Sequence, residues 1–195
     1  MYSISNEAST LWEKLYQQVA LHAGMEIEIL DFPQTFPMLP IWERDDLGMV
    51  MICGWPFHLA GAKHQIIGAF KPLSSQGRIL YRSHFLVRND SGFERIEDSF
   101  GSNMTYLAEY SHSGYNAPRY HLLPHFIERG KKLFNEVSGL NNGGYTALLE
   151  TLVERRADII SMDSYSYDLM VFFHPELVKD VKILAPNHKE RLSIF

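Results

Sequence analysis

The second half of the chain alternates apolar stretches with amphipathic ones, and this order constrains the fold more than any other feature. Four strands are predicted there, at 103–108, 133–137, 158–162 and 181–184. Three helices are predicted between them, at 115–123, 145–155 and 165–173. Strands that alternate with helices pair in parallel through right-handed crossovers. The sequence therefore predicts an α/β fold with parallel strands.

The first half of the chain is less regular. Apolar residues from Ala8 to Val19 recur on one helical face, which predicts a helix with Asn6 as its N-cap. A proline-rich loop is predicted at 31–40, and an exposed turn at 88–92 is the predicted boundary between two lobes. Strands are predicted at 27–29, 48–53, 66–70 and 79–88.

Composition narrows the functional classes. Of the 195 residues, 46% are hydrophobic, so the chain can bury a substantial core. The formal charge of -5 argues against broad nucleic-acid binding, which needs clustered lysines and arginines. Cys53 is the only cysteine, which excludes an internal disulfide. Residues 1–13 lack a secretory signal and no stretch predicts a membrane helix, so a cytoplasmic protein or a trimmed exported one is expected.

Two turns rich in hydroxyl groups and glycine, at 110–117 and 138–145, are the strongest candidates for a binding site. Each follows a predicted strand and opens a predicted helix, where unpaired amides and the helix dipole attract anions. In parallel sheets, ligands bind at these carboxyl ends of the strands. We therefore predict that the turns face each other across a cleft, and that the amides of Gly114 and Tyr115 hold a small oxyanion.

Several other residues have two possible roles. Asp163 is expected to point into the cleft toward a cationic or N–H group of the ligand, or else to cap the following helix. Arg82 either pairs with an anionic group or is solvated on an edge strand. Four aromatic residues are predicted to form flat walls for a ligand ring or to pack in the protein: Trp55, Tyr81, Tyr115 and Tyr165.

Catalytic and metal chemistry are not expected. Cys53 ends an apolar run and fits a small buried hydrophobe better than a nucleophile activated by histidine. His121 and His125 have the spacing of a helical metal pair, but Pro124 is expected to interrupt that helix and there is no HExxH motif. No lysine follows the glycines of the second turn, so nucleotide hydrolysis is not expected either. No cofactor is predicted.

The order of several short motifs resembles that of a known family. The motifs are Asp46-Leu47, CGWPF at 53–57, YRS at 81–83, SGYNA at 113–117, VSG at 137–139, RAD at 156–158 and Met162-Asp163. Together they are similar to the phosphate/phosphonate-type (PhnD-like) substrate-binding proteins of ABC transporters. The resemblance implies a type II periplasmic-binding-protein fold, in which two α/β lobes joined by crossing strands trap a ligand. Relative to that family the chain is apparently shortened at both ends, and its turn at 141–145 differs.

The resemblance implies lobe one at 1–87 with a return segment at 180–195, and lobe two at 88–179. It also implies a non-enzymatic protein that captures a small anionic ligand for transport, a periplasmic or extracytoplasmic location, and an ABC permease as a possible partner. The alternatives are an enzyme that uses Cys53 or a histidine on a small metabolite, and a cytoplasmic ligand sensor. The predicted ligand-binding residues are Cys53, Gly54, Trp55, Tyr81, Arg82, Ser83, Ser111, Ser113, Gly114, Tyr115, Asn116, Ser138, Asp163 and Tyr165.

Overall fold

A computed structural model describes residues 4–30, 38–71, 79–141, 143–184 and 193–194. The α-helices in these residues are α1 (Asn6–His22), α2 (Met38–Trp42), α3 (Gly54–Ala60), α4 (Ala117–Arg129), α5 (Gly144–Val153), α6 (Ser164–Phe173) and α7 (Pro175–Val178). The strands are β1 (Tyr81–Arg88), β2 (Asn103–Tyr106), β3 (Glu136–Gly139), β4 (Ile159–Asp163), β5 (Val181–Ile183) and β6 (Ser193–Ile194). A π-helical turn, His112–Asn116, leads directly into α4.

The strands form a mixed sheet in the order β3-β2-β4-β1-β5, and β6 pairs with β1. Strand β2 is parallel to β3 and to β4, whereas β1 is antiparallel to both β4 and β5. Strands β2 to β5 therefore run in one direction, and β1 is inserted among them in the opposite direction. The strands and helices predicted from residue 103 onward are confirmed, with ends shifted by up to six residues.

Helices cover both faces of this sheet. Because successive strand residues point to opposite faces, neighbouring positions of β1 enter different cores. Leu86 packs with Ile160 and with the leucines of α5, which are fully buried, whereas Val87 packs with Ile159 and with Leu122 of α4. Three layers result, with the sheet in the middle, and this arrangement fixes the carboxyl ends of β2, β3 and β4 along one edge.

The predicted strands at 27–29, 48–53 and 66–70 are wrong. In the described residues these segments belong to neither a helix nor a ladder. Strand-like alternation produces a strand only where a partner strand completes the hydrogen bonds. Ile66 and Ile67 are 68% and 76% exposed, so the side chains that the pattern assigned to a core remain accessible to solvent.

Three local features of the first half also differ from expectation. Helix α1 is capped by Ser5 rather than Asn6, because the Ser5 side chain accepts a hydrogen bond from the Ala8 amide at 3.0 Å. The predicted loop at 31–40 lies outside the described residues up to position 37, and α2 begins at Met38. Cys53 does not end a strand but occupies the N-cap position of α3.

The turn predicted at 88–92 is confirmed. A 3₁₀ turn, Asn89–Ser91, ends at Gly92, whose φ of 74° lies in the left-handed region that glycine tolerates best. The Asn89 amide donates to the Asp180 carbonyl at 2.8 Å and so ties this turn to the segment before β5. Strands from both sides of the turn share one sheet, and the assignment of the lobes stays a prediction.

No helix in the described part of the chain is both long enough and apolar enough to span a lipid bilayer.

Candidate functional site

The turn between β2 and α4 lies at the carboxyl edge of the sheet, as predicted. Ser111 is the N-cap of the π-helical turn, and its side-chain oxygen accepts the Gly114 amide at 2.9 Å. The Ser111 carbonyl accepts the Tyr115 amide at 3.2 Å and the Asn116 amide at 3.1 Å. A π-helical start widens the first turn, so several amides converge on one residue.

These bonds correct one expectation. The amides of Gly114 and Tyr115 were expected to be free for an anion, but Ser111 already satisfies both of them. The absence of a side chain at Gly114 is what permits this arrangement, because a Cβ there would lie 2.8 Å from Ser111 Oγ. Gly114 is therefore needed for the N-cap hydrogen bond. An anion at this turn has to compete with the Ser111 hydroxyl for the Gly114 amide.

Serine hydroxyl groups on the sheet donate hydrogen bonds to carbonyls of the same turn. Ser83 Oγ on β1 donates to the Ser113 carbonyl at 2.6 Å, and Ser161 Oγ on β4 donates to the Gly114 carbonyl. Tyr81 also hydrogen-bonds to the Ser113 side chain, and burial raises the pKa of its phenol well above the ordinary value. Thus Ser83 and Tyr81, both predicted site residues, meet the turn.

Asp163 is fully buried at the end of β4 and caps α6. Its Oδ1 accepts the Ser166 amide and its Oδ2 accepts the Ser166 hydroxyl, each at 2.7 Å. Burial raises the pKa of the carboxyl, and the hydrogen bonds from Ser166 and Tyr145 partly oppose that rise. Of its two predicted roles the capping role is the one observed, and both oxygens are engaged with the protein.

Cys53 brings the first half of the chain against the turn. Its Sγ accepts the His112 amide at 3.5 Å and donates to the Tyr110 carbonyl at 3.9 Å, while Trp42 packs edge-on against the Tyr110 ring at 5.4 Å. Burial raises the pKa of the Cys53 thiol. Because burial disfavours the thiolate, this thiol is expected to be less reactive than an exposed cysteine.

The remaining aromatic candidates pack against protein neighbours. Tyr115 contacts Tyr106 at 4.5 Å between ring centroids, with Arg119 over its face at 4.8 Å. Trp55 stacks on His58 at 5.9 Å. Tyr165 meets Trp12 edge-on at 6.3 Å, so its ring belongs to an aromatic cluster with α1.

The polar candidates differ in how closely they approach the turn. Asn116 Nδ2 lies 3.3 Å from His112 Nδ1, within the turn itself. The Arg82 amide donates to Ser164 Oγ at 3.0 Å, and the Arg82 residue is solvent-exposed. Gly54 is also exposed, at the start of α3. Ser138 on β3 pairs with Thr105 at 3.1 Å, one strand away from the turn.

The second turn lies beside the first rather than opposite to it. Strands β2 and β3 are parallel neighbours, and the amides of Leu140 and Asn141 donate to the carbonyls of Tyr106 and Leu107, each at 2.8 Å. Position 142 is outside the described residues. The prediction that the two turns face each other across a cleft is therefore wrong.

The histidine pair on α4 is half-buried and packs against phenylalanine rings. The helix continues through Pro124 to Arg129, so the expected interruption is wrong. His121 and His125 lie 6.5 Å apart by ring centroids and contact Phe85 and Phe100 respectively. Within the described ranges, no group of three or more histidine, cysteine or acidic residues is arranged to hold a metal ion.

Comparison with known proteins defines the family. A family model described as the periplasmic substrate-binding protein of phosphonate ABC transporters matches residues 4–188. The chain belongs to this phosphonate-binding family. The resemblance drawn from the short motifs is thereby confirmed, and the family is a transporter component rather than an enzyme family. No curated protein matches the chain by sequence.

Solved structures confirm the fold of this family member. A binding protein component of an ABC phosphonate transporter from Pseudomonas aeruginosa has a TM-score of 0.67 at 14% identity, covering 99% of this chain and 64% of that one. The substrate-binding protein of an amino acid ABC transporter has a TM-score of 0.59 at 17% identity and covers 93% and 69%. Holo ArgBP from T. maritima has a TM-score of 0.53 at 18% identity and covers 93% and 70%. The chain thus spans about two thirds of the length of these proteins.

Several hydroxyl residues of this family member were not predicted. Ser161, Ser164 and Ser166 surround the end of β4, and Tyr145 reaches Asp163 from α5. Ser164 and Ser166 stand in the first turn of a helix, which is a recognisable capping signal. Ser161 sits inside an apolar strand, and only the strand register shows which face it occupies.

Proposed function

We propose that the chain captures a small anionic ligand, phosphate-like or phosphonate-like, at the carboxyl edge of β2 and β4, and delivers it to an ABC transporter. Family membership supports this proposal, and the π-helical turn His112–Asn116 is the observation that carries it. Amides at the start of a helix favour negative charge. In the proposed complex a ligand oxygen takes the place of Ser111 Oγ on the Gly114 amide.

Substitution of one acceptor by another gives a physical reason for binding. The Ser111 hydroxyl is a neutral acceptor, whereas a phosphonate oxygen carries charge and makes a stronger hydrogen bond to the same amide. The displaced hydroxyl can then rotate and donate to the ligand, since a serine oxygen both donates and accepts. Ser111 and Ser113, with the amides of Gly114 and Tyr115, are the proposed direct contacts.

The hydrogen bonds of Asp163 favour a ligand without an ammonium group. Asp163 has both oxygens engaged by Ser166, which leaves little capacity to bind an amine. Binding of a phosphonate that bears an amine would require Asp163 to exchange one of these bonds for an ionic one. A pyrimidine-type ring is less favoured, because Tyr115 and Tyr165 already pack against neighbouring rings.

The second wall of the proposed cleft comes from residues around Cys53. The contacts of Cys53 and Trp42 with residues 110–112 support a hinged closure of the part of lobe one around Cys53 onto the turn in lobe two, while β1 and β5 stay within the sheet. Closure favours the liganded form because both lobes then contribute contacts. A periplasmic location and a permease partner follow the family and form part of the proposal.

Isothermal titration calorimetry of the purified chain with methylphosphonate, inorganic phosphate and 2-aminoethylphosphonate tests the proposal. We expect saturable binding of at least one of them, abolished in Ser113→Asp because its carboxylate repels an anion at the turn. Glu128→Asp is the control, because it is an exposed substitution on α4 that conserves charge and should leave binding unchanged. A folded protein that binds none of the three ligands would contradict the proposed function.

A further inference from the structure

Two serines on adjacent strands donate hydrogen bonds to consecutive carbonyls of the turn. Ser83 lies on β1 and Ser161 on β4, and the antiparallel register pairs Ser83 with Asp163 and Phe85 with Ser161. Residues two positions apart on a strand share a face, so both serines point to the side on which the turn sits. Ser83 Oγ donates to the Ser113 carbonyl, and Ser161 Oγ donates to the Gly114 carbonyl.

Each carbonyl that accepts one of these hydrogen bonds lies in the same peptide plane as one of the amides at the proposed anion site. The Ser113 carbonyl and the Gly114 amide belong to one planar peptide group, and the Gly114 carbonyl and the Tyr115 amide belong to the next. A hydrogen bond that fixes the carbonyl of a planar group therefore also fixes the direction of its N–H. The two serines thus control the orientation of both amides from the opposite side.

Ser161 is fully buried and Ser83 is 8% exposed, so both act from inside the protein. Their hydroxyls already donate to backbone carbonyls at the underside of the turn, away from the face on which the amides point. We infer that Ser83 and Ser161 are positioning residues, which set anion affinity by holding the Gly114 and Tyr115 peptide planes and do not touch the ligand. This inference rests on the proposed function and assigns Ser83 a role different from the direct contact predicted from sequence.

Alanine variants of each serine test the inference, with Ser99→Ala as a matched control. Ser99 is also fully buried and also donates to a carbonyl, that of Ile96 at 2.6 Å, but it lies outside the turn. We expect Ser83→Ala and Ser161→Ala to weaken methylphosphonate binding about tenfold each, as the loss of one well-placed hydrogen bond implies. Ser99→Ala should leave the affinity unchanged, and Ser83→Thr, which keeps the hydroxyl, should restore most of it.

Amide hydrogen exchange in the ligand-free protein separates positioning from loss of stability. We expect exchange at Gly114 and Tyr115 to accelerate about tenfold more than exchange at Leu148 and Leu149 in the Ser83 and Ser161 variants, because the bonds are local. In Ser99→Ala, both sets of amides should change together.

The exchange experiment needs no ligand, so it can fail independently of the proposed function. If the wild type binds no anion, the proposed function is wrong. The exchange rates still show whether the Ser83 and Ser161 hydrogen bonds order the amides of the turn. Equal acceleration at the turn and in α5 would overturn the positioning role. So would unchanged methylphosphonate affinity in both alanine variants.

Discussion

Gly114→Ala tests the close contact that defines the turn. An alanine Cβ at this position would lie 2.8 Å from Ser111 Oγ and 3.3 Å from Ser111 Cβ. The first distance is too short for a real contact, so the Ser111 hydroxyl has to leave the Gly114 amide. Unlike most glycine replacements in helices, this one is therefore expected to destabilise the protein.

The magnitude follows from three contributions. Loss of the N-cap bond costs about 1 kcal/mol, and crowding in a buried turn costs about 2 kcal/mol. Alanine offsets about 1 kcal/mol through its higher helix propensity. We expect Gly114→Ala to lower the free energy of unfolding by about 2 kcal/mol, and Ser111→Ala to lower it by about 1 kcal/mol. In the double variant the hydroxyl is already gone, so the second substitution should add little.

Urea unfolding followed by tryptophan fluorescence measures this coupling. The expected coupling energy between Gly114→Ala and Ser111→Ala is about 2 kcal/mol, well above the deviation of independent sites. Gly68→Ala is the control, because a Cβ there meets nothing within 4 Å and its φ is not positive. Additive effects of the two turn substitutions, within about 0.5 kcal/mol, would refute the reasoning.

Three further predictions concern the core, the buried carboxyl and the thiol. Leu149→Ala should lower the free energy of unfolding by about 2–5 kcal/mol in urea titrations, because Leu149 is fully buried, whereas Leu59→Ala, at a 60% exposed position, should cost less than about 0.5 kcal/mol. The pKa of Asp163 is raised in the folded state, so its contribution to stability is complete below the unfolded pKa of about 4 and declines as pH rises through the folded pKa. Asp163→Asn should flatten that decline in urea titrations from pH 4 upward, and an unchanged slope would contradict it. Cys53 should react slowly with iodoacetamide at pH 8, because burial raises the thiol pKa. The variant Cys53→Ser should retain ligand binding. Loss of binding in this variant, together with enzymatic turnover detected in the wild type, would favour the enzyme alternative.

The second half of the chain was predictable because its patterns agree with its tertiary partners. The apolar run before Asp163 becomes β4, which is buried along its whole length, and Gly144–Val153 becomes a helix whose leucines are sealed from solvent. The strand patterns before residue 81 lack this support, since pairing is a tertiary property that alternation alone cannot supply. The insertion of β1 in the opposite direction was likewise invisible to a local pattern.

The position of the candidate site was predictable, but the use of its groups was not. Hydroxyl and glycine residues mark the turn because they suit helix starts. The same property lets Ser111 satisfy the amides internally, and this competition depends on the π-helical geometry rather than on residue type. Asp163 likewise has a side chain suited to either capping or ligand binding, and its burial favours capping.

The internally satisfied turn has a consequence for affinity. A ligand oxygen that replaces Ser111 gains only the difference between a charge-assisted and a neutral hydrogen bond, about 1–1.5 kcal/mol for each exchange. Two such exchanges, at the Gly114 and Tyr115 amides, amount to about 2–3 kcal/mol, which is less than the roughly 4 kcal/mol that corresponds to a Kd of about 1 mM. Capture at lower concentrations therefore requires contacts from outside the turn. The segment around Cys53 and Trp42 already lies against residues 110–112, so it is the part of the chain best placed to supply them.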